Sequence, residues 1–454
     1  MNHQMPDRDR LKRLSETMVE LALKAGAQQA DALAVEGSSV SIDVRGGALE
    51  QAERAEGIEI GLRVLIGGRQ ATVSASDHSR EAIAAMAERA VAMAREAPVD
   101  DNLGLADASQ LSAQRDAAGL ELAEDAPDPQ PAGMQDMALR AEAAALAVQG
   151  IAQVESSNAS HSRRRMWLAA SNGFSGGYER TGHSISTVAI TGEGTAMERD
   201  WAAESRAFAA DLPAPEEIGR LAAERTLARA GAKKPPTGAF PILYDRRVAA
   251  TLISHLLSAV NGSAVARGAS WLRRDLGQQV LPPQMDLIED PRRPRYSSSR
   301  PFDVEGLPTQ RRDIVRDGVL QGWTLDLATA RKLGMESTGS AARGLASAPS
   351  PSNSNVILTP GEGDAEALMR QMGRGLVVTS MLGASINGTT GDYSRGASGF
   401  WVESGQIAYP VNECTIAGNL REMLMTLIAA DDALPWRGIE VPSLLVEGMT
   451  VAGA

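Results

Sequence analysis

Apolar residues recur along this chain in two rhythms, and the switches between them mark out its elements. Leu11, Leu14, Met18 and Leu21 fall on one face of a helix that Asp7 caps and Gly26 ends. Short strands are expected over 31–36 and 40–44. Ile58, Ile60, Leu62, Val64 and Ile66 then alternate strictly, as a half-buried strand requires. Gly67-Gly68 turns the chain into a partner strand over 70–75. A helix bearing Ile83, Met86, Ala90 and Ala94 opens at Asp77 or Ser79 and completes a first unit, 1–97.

Residues 98–133 break the rhythm. Prolines alternate with acids over 124–131, a composition that builds no core, so a mobile connection is expected. A second unit, 134–235, repeats the order of the first. It has a helix over 134–148, strands near 151–157, 165–170 and 184–191, and a helix from Pro215 that Gly231 stops. The third unit, 239–454, is richer in strands, with helices over 246–260, 364–372 and 420–429. The fold class expected is α+β: a duplicated helix–hairpin–helix amino-terminal part followed by a strand-rich carboxy-terminal domain.

Composition narrows the function. With 45 Lys and Arg against 57 Asp and Glu, the net charge is −12, which disfavours binding to nucleic acid. The first residues lack the apolar run of a secretory signal, and nowhere do about 18 apolar residues run together. A soluble cytoplasmic protein, without nucleic-acid or membrane partners, is expected. The one cysteine, Cys414, excludes an internal disulfide and a cysteine zinc cage.

Candidate chemistry is sparse. A hydrolytic zinc needs about three protein ligands. The five histidines (His3, His78, His161, His183 and His255) contain no pair spaced to share a helix face. His255 lies among Leu252, Ile253, Leu256 and Leu257 and reads as a structural histidine. Cys414 precedes a helix, where a thiol can be activated, but has no neighbouring histidine and reads as a core filler. Gly173-Phe-Ser175-Gly-Gly177 matches G-x-S-x-G, yet it sits between strands, not at the strand–helix elbow that exposes a nucleophile. Gly361-Glu-Gly363-Asp364 carries acids where a phosphate cradle needs none. Asp303 and Glu305, two apart on a strand, are expected to pair with Arg300, Arg311 or Arg312.

The carboxy-terminal third is more specific. Phe302-Asp-Val-Glu-Gly-Leu-Pro-Thr309 is followed by Ile314-Val-Arg-Asp-Gly-Val-Leu320, Ala330-Arg-Lys-Leu-Gly334 and Ser337-Thr-Gly339. Next comes Ile386-Asn-Gly-Thr-Thr-Gly-Asp-Tyr-Ser-Arg-Gly-Ala-Ser-Gly-Phe-Trp401, then Ile416-Ala-Gly-Asn-Leu420 and Val451-Ala-Gly453. In that order these motifs resemble the PmbA (TldE) branch of the TldD/PmbA family. The resemblance implies a two-subunit cytoplasmic zinc metalloprotease acting on unfolded peptides. In it, a TldD-type subunit holds zinc through an HExxxH helix and a cysteine loop near its carboxy terminus. Here the matching helix carries Ser254, His255 and Ala259 at the ligand and acid–base positions. The loop between Leu434 and Val441 is the cysteine-free Pro435-Trp-Arg-Gly-Ile-Glu440.

What the resemblance implies for this chain is a non-catalytic partner of the heterodimer, with no catalytic, cofactor or metal residue of its own and the zinc in the partner. A homodimer is an option when the chain is alone. Asn387, Gly388, Gly391, Asp392, Ser394, Gly396 and Gly399 are candidates for a loop that touches peptide or partner; the other reading is a glycine-rich connection between core strands. The alternatives are an autonomous metallopeptidase using His161, His183 or His255 with carboxylates, and a regulatory modulator of DNA gyrase.

Overall fold

Strands far longer than the sequence intervals suggested dominate the computed structural model, which describes residues 9–453. Helix α1 (Arg10–Lys24) leads into β1 (Gln29–Arg45), β2 (Ala48–Ile66), β3 (Arg69–Ala75) and α2 (Arg80–Glu96). The cap expected from Asp7, like His3, lies outside the described residues. After residues 97–130 come α3 (Pro131–Leu146), β4 (Ile151–Ala170), β5 (Ser175–Thr191), β6 (Glu198–Arg206) and α4 (Pro215–Ala228). All six strands form one antiparallel sheet in the order β3-β2-β1-β4-β5-β6.

This overturns the expected fold class. The α+β chain with a duplicated helix–hairpin–helix amino-terminal part gives way to a strand-dominated fold whose first two segments share a sheet. The seam is the β1–β4 pairing, from Asp31↔Ala170 to Val44↔Ser157. The polar stretches Gly37-Ser38-Ser39 and Asn158–Ser162 looked like breaks between short strands. They are strand interior, because each backbone group there pairs with a neighbour on either side. The β1–β4 partners lie more than a hundred residues apart and leave no local signal.

Two helix pairs cover the sheet. Met18 and Ala22 of α1 and Met86 and Ala90 of α2 bury against Ile60, Leu62 and Val64. Ala141 of α3 and Ile218 and Ala222 of α4 bury against Ile185, Ala189 and Ala202. The 98–133 stretch holds a 3-10 turn at Ala108–Gln110. It buries Leu105, Leu120 and Leu122. The Gly177 and Thr181 amides of β5 donate to its Arg115 and Leu122 carbonyls at 2.9 and 3.0 Å.

The rest of the chain begins with β7 (Gly238–Tyr244), α5 (Ala250–Ala259) and α6 (Gly262–Ala266). Then follow β8 (Leu287–Glu289), β9 (Arg312–Arg316), β10 (Val319–Leu320), α7 (Leu327–Leu333), β11 (Ala341–Ala342), β12 (Ser350–Pro351), β13 (Val356–Leu358) and α8 (Ala365–Met372). The last elements are β14 (Gly375–Ile386), β15 (Asp392–Glu403), β16 (Gln406–Asn419), α9 (Leu420–Met425), β17 (Ile428–Ala429), β18 (Ile439–Glu440) and β19 (Leu444–Ala452). Strands pair in the order β16-β15-β14-β7-β19, and β16 also bonds to β19, closing the ring into a barrel. Closure leaves these strands without a free edge. Leu252, Ile253 and Leu256 of α5 share one core with Tyr244, Tyr393, Trp401, Ile416 and Val446 of the barrel. Among the described residues, no helix is long and apolar enough to cross a membrane.

Candidate functional site

Helix α5 forms where the apolar spacing of Leu252, Ile253, Leu256 and Leu257 predicts it, and these residues are buried. Its less buried face carries Ser254 and Ser258. Each hydroxyl is spent on the helix itself: Ser254 Oγ donates to Ala250 O and Ser258 Oγ to Ser254 O, both at 2.8 Å. Ala259 is buried and has no donor atom to offer.

His255 packs its ring edge-on to Tyr393, centroids 5.8 Å apart. Its Nε2 is buried and, among the described residues, meets no hydrogen-bond partner. Burial, with the nearby Arg395 charge second, holds its pKa below the usual imidazole range, so the ring stays neutral. Tyr393 in turn brings its hydroxyl within 3.4 Å of that of Tyr244. Burial pushes both phenols up. Arg395 Nε donates to Gly383 O at 2.7 Å and ties β15 to β14.

Cys414 contacts Ala397 O through its Sγ at 3.1 Å, and burial raises the thiol to about 11. A thiol so protonated is a filler, not a nucleophile. The loop after Leu434 is held shut. Glu440 Oε1 accepts the Trp436 amide at 3.0 Å and the Tyr296 hydroxyl at 2.6 Å, and the Tyr296 and Trp436 rings stack 5.1 Å apart.

The glycine-rich candidates divide by position. Asn387 and Gly388 occupy an exposed turn between β14 and β15, where Asn387 Oδ1 accepts the Thr389 and Thr390 amides at 3.0 and 3.3 Å. Gly391 leads into β15, while Asp392, Ser394, Gly396 and Gly399 lie within it. A side chain at Gly399 would overlap the Val377 carbonyl across the β14–β15 pair.

The remaining histidines do not join His255. His161 and His183 are cross-strand partners on β4 and β5, ring centroids 4.6 Å apart and Nδ1 atoms 3.4 Å apart. Their Nε2 atoms lie 3.1 Å from Asp128 and 3.0 Å from Glu124, at ion-pair distance but off the hydrogen-bond line. His78 is on the surface beside Arg10. Among the described residues, no three His, Cys, Asp or Glu side chains gather as a metal cage.

Ser175 opens β5 after a strand-to-strand turn, accepting Trp167 Nε1 at 3.0 Å and donating to Glu16 at 2.9 Å. Asp303 and Glu305 are not strand neighbours paired with arginines. They sit in a buried turn, Asp303 accepting the Glu305, Leu307 and Ala341 amides and Glu305 the Leu327 amide at the start of α7. Arg312 pairs instead with Glu289 at 2.7 Å. One feature escaped the sequence altogether. Asp31 of β1 bridges Arg63 of β2 (2.6 Å) and Arg343 (2.5 Å), joining the sheet to the carboxy-terminal part through nearly buried charges.

Similarity to known proteins agrees with this architecture. Three PmbA/TldA metallopeptidase family models match in order: domain 1 at residues 30–94, the central domain at 124–230 and the C-terminal domain at 237–453. Metalloprotease PmbA of Escherichia coli is 36% identical over 451 residues, 97% of each chain. A crystal structure of a candidate modulator of DNA gyrase from Bacteroides thetaiotaomicron superposes with a TM-score of 0.90 at 28% identity, covering 98% of this chain and 99% of that one. TldE of Thermococcus kodakarensis shares the fold, with a TM-score of 0.83 at 19% identity over 96% and 99% of the two chains. The chain belongs to the PmbA/TldD family of metallopeptidases.

Proposed function

We propose that this chain is the PmbA/TldE-type subunit of a two-subunit peptidase, shaping the peptide chamber while a TldD-type partner carries the zinc. The observation that carries this reading is the chemistry of α5. The family's zinc helix is matched by Ser254, whose hydroxyl is engaged with Ala250, by the lone neutral imidazole of His255, and by Ala259. That set does not fit a hydrolytic zinc, which needs about three ligands. What the chain contributes is then scaffold: the closed barrel, the exposed turn at Asn387–Gly388 and the edge strands β3 and β6 of the amino-terminal sheet, along which an unfolded peptide can be held.

The test is reconstitution. Zinc analysis of the purified chain is expected to give well below one ion per polypeptide, with peptidase activity appearing only when a TldD-type chain is added. One zinc per isolated chain together with peptidase activity would defeat the proposal.

A further inference from the structure

Between α4 and the start of α5 runs a groove made of two adjoining cavities, about 470 and about 300 Å3 in volume, which share Leu221, Arg225, Arg246 and Arg247. Its walls include Trp201, Phe400 and Leu434, and it ends at Ala250, one turn before Ser254. Four arginines face it, and their partners can be accounted for singly. Arg247 is neutralised by Asp245 at 3.2 Å and Asp200 at 3.5 Å. Arg437 is held by Glu204 at 2.6 Å. Arg225 donates to the Trp201 carbonyl at 3.0 Å, and Arg246 to the Asp432 carbonyl at 3.2 Å. The Asp432 carboxylate itself is occupied by the Ser443 amide and hydroxyl, at 2.7 and 2.8 Å.

Among the described residues, therefore, neither Arg225 nor Arg246 has a carboxylate at ion-pair distance. The two guanidiniums share the groove, half-buried Arg225 and exposed Arg246, beside Glu204 and Asp245, which are engaged by Arg437 and Arg247. Crowding like charges in this way is unfavourable unless an anion relieves it. Arg225 carries the mark of that crowding: burial first and the Arg247 charge second hold its pKa down, and Asp200 and Asp245 offset this only in part.

We propose that this groove is a carboxylate-recognition site for the carboxy terminus of a peptide. Arg225 and Arg246 take the carboxylate, by the forked geometry that guanidinium offers an oxyanion. Trp201, Leu221 and Leu434 take the apolar side chains that precede it. An inorganic oxyanion would satisfy the arginines but leave those apolar walls unused, which is why a peptide is the better occupant. The inference goes beyond the proposed subunit role and does not rest on it, since the site lies wholly within this chain.

Calorimetric titration of the full chain, without a partner, tests it. The probe is a tetrapeptide ending in two leucines, offered as the free acid and as its carboxy-terminal amide, with inorganic phosphate as a third arm. The free acid is expected to bind about tenfold or more tightly than the amide, and more weakly as salt is raised. Arg246→Ala is expected to weaken the free acid by about tenfold while leaving the amide unchanged. Arg225→Lys keeps the charge but loses the fork and is expected to act in the same direction. Thermal melts check that both variants fold, and the exposed Arg246 keeps the test valid should Arg225 prove structural. Equal binding of acid and amide, unchanged binding in Arg246→Ala, or phosphate binding as tightly as the peptide would each overturn the proposal.

Discussion

Glu305 shows how a single buried carboxyl writes a pH dependence into the whole chain. Burial, with the Asp303 charge second, raises it from 4.5 to about 8, so it is neutral at pH 7. A carboxyl whose folded pKa lies above its unfolded one binds protons more tightly when folded. Its contribution to stability is full below about 4.5 and is lost as pH rises through about 8. Urea midpoints of the wild type are therefore expected to fall as pH rises from 4.5 to about 8 and to level off above it. In Glu305→Gln, which keeps an oxygen for the Leu327 amide, that decline is expected to flatten. An equal decline in both proteins would reject this account.

His183 has the opposite sign. Burial first and the His161 charge second depress its pKa below 6.5, so the neutral ring is the stable folded form. Its contribution is present above pH 6.5 and lost as pH falls through the lowered folded value. His183→Gln is expected to resist acid unfolding better than the wild type, read by far-ultraviolet circular dichroism between pH 4 and 7 (roughly three decades, most of them below an ordinary histidine). The same residue scale contains the Asp31 bridge. Asp31→Asn leaves Arg343, whose side chain is fully buried, without its counter-charge, and is expected to cost about 3–5 kcal/mol in denaturant unfolding.

At the scale of elements, close approaches explain why certain glycines cannot be replaced. Gly219 of α4 lies against α3, where a methyl would overlap the Ala141 carbonyl. Gly61 of β2 lies against the Leu345 carbonyl in the same way, at the contact between sheet and carboxy-terminal part. Gly219→Ala is expected to part the two helices and lower stability by about 1–3 kcal/mol. A melting temperature unchanged from wild type would show that the helices can give way. Legibility in the sequence follows the same logic. The strict alternation from Ile58 to Ile66 and the Gly67-Gly68 turn were readable, and β2 and β3 pair there, Ile66↔Arg69 closing the hairpin. The length of β1 and β4 was not readable, because Ser38 and Arg163 are held in the strand by a paired neighbour and not by their own apolar pattern.

At the scale of the molecule, the candidate site is a property of two distant stretches. Helix α5 and its residues Ser254, His255 and Ala259 could be located from sequence spacing and family likeness. Tyr393 and Arg395, which lie beside His255, and Tyr244, which meets Tyr393, could not, since they arrive on β15 and β7 only when the barrel closes. The same holds for the groove of Arg225 and Arg246, which lie on α4 and just before α5 and carry no shared motif.

By itself the sequence determined the positions of the helices with strong apolar faces, the hairpin at Gly67-Gly68, the acidic balance and the family motifs from Phe302 onward. All of these are encoded over a few residues or in composition, so they survive without long-range information. Only the tertiary structure decided that the two amino-terminal segments share one sheet, that Asp31 joins Arg63 to Arg343, and that Arg225 and Arg246 share a groove with no described carboxylate at ion-pair distance. Each depends on backbone pairing or desolvation between residues far apart in the chain, and a local pattern carries no trace of what will be packed against it.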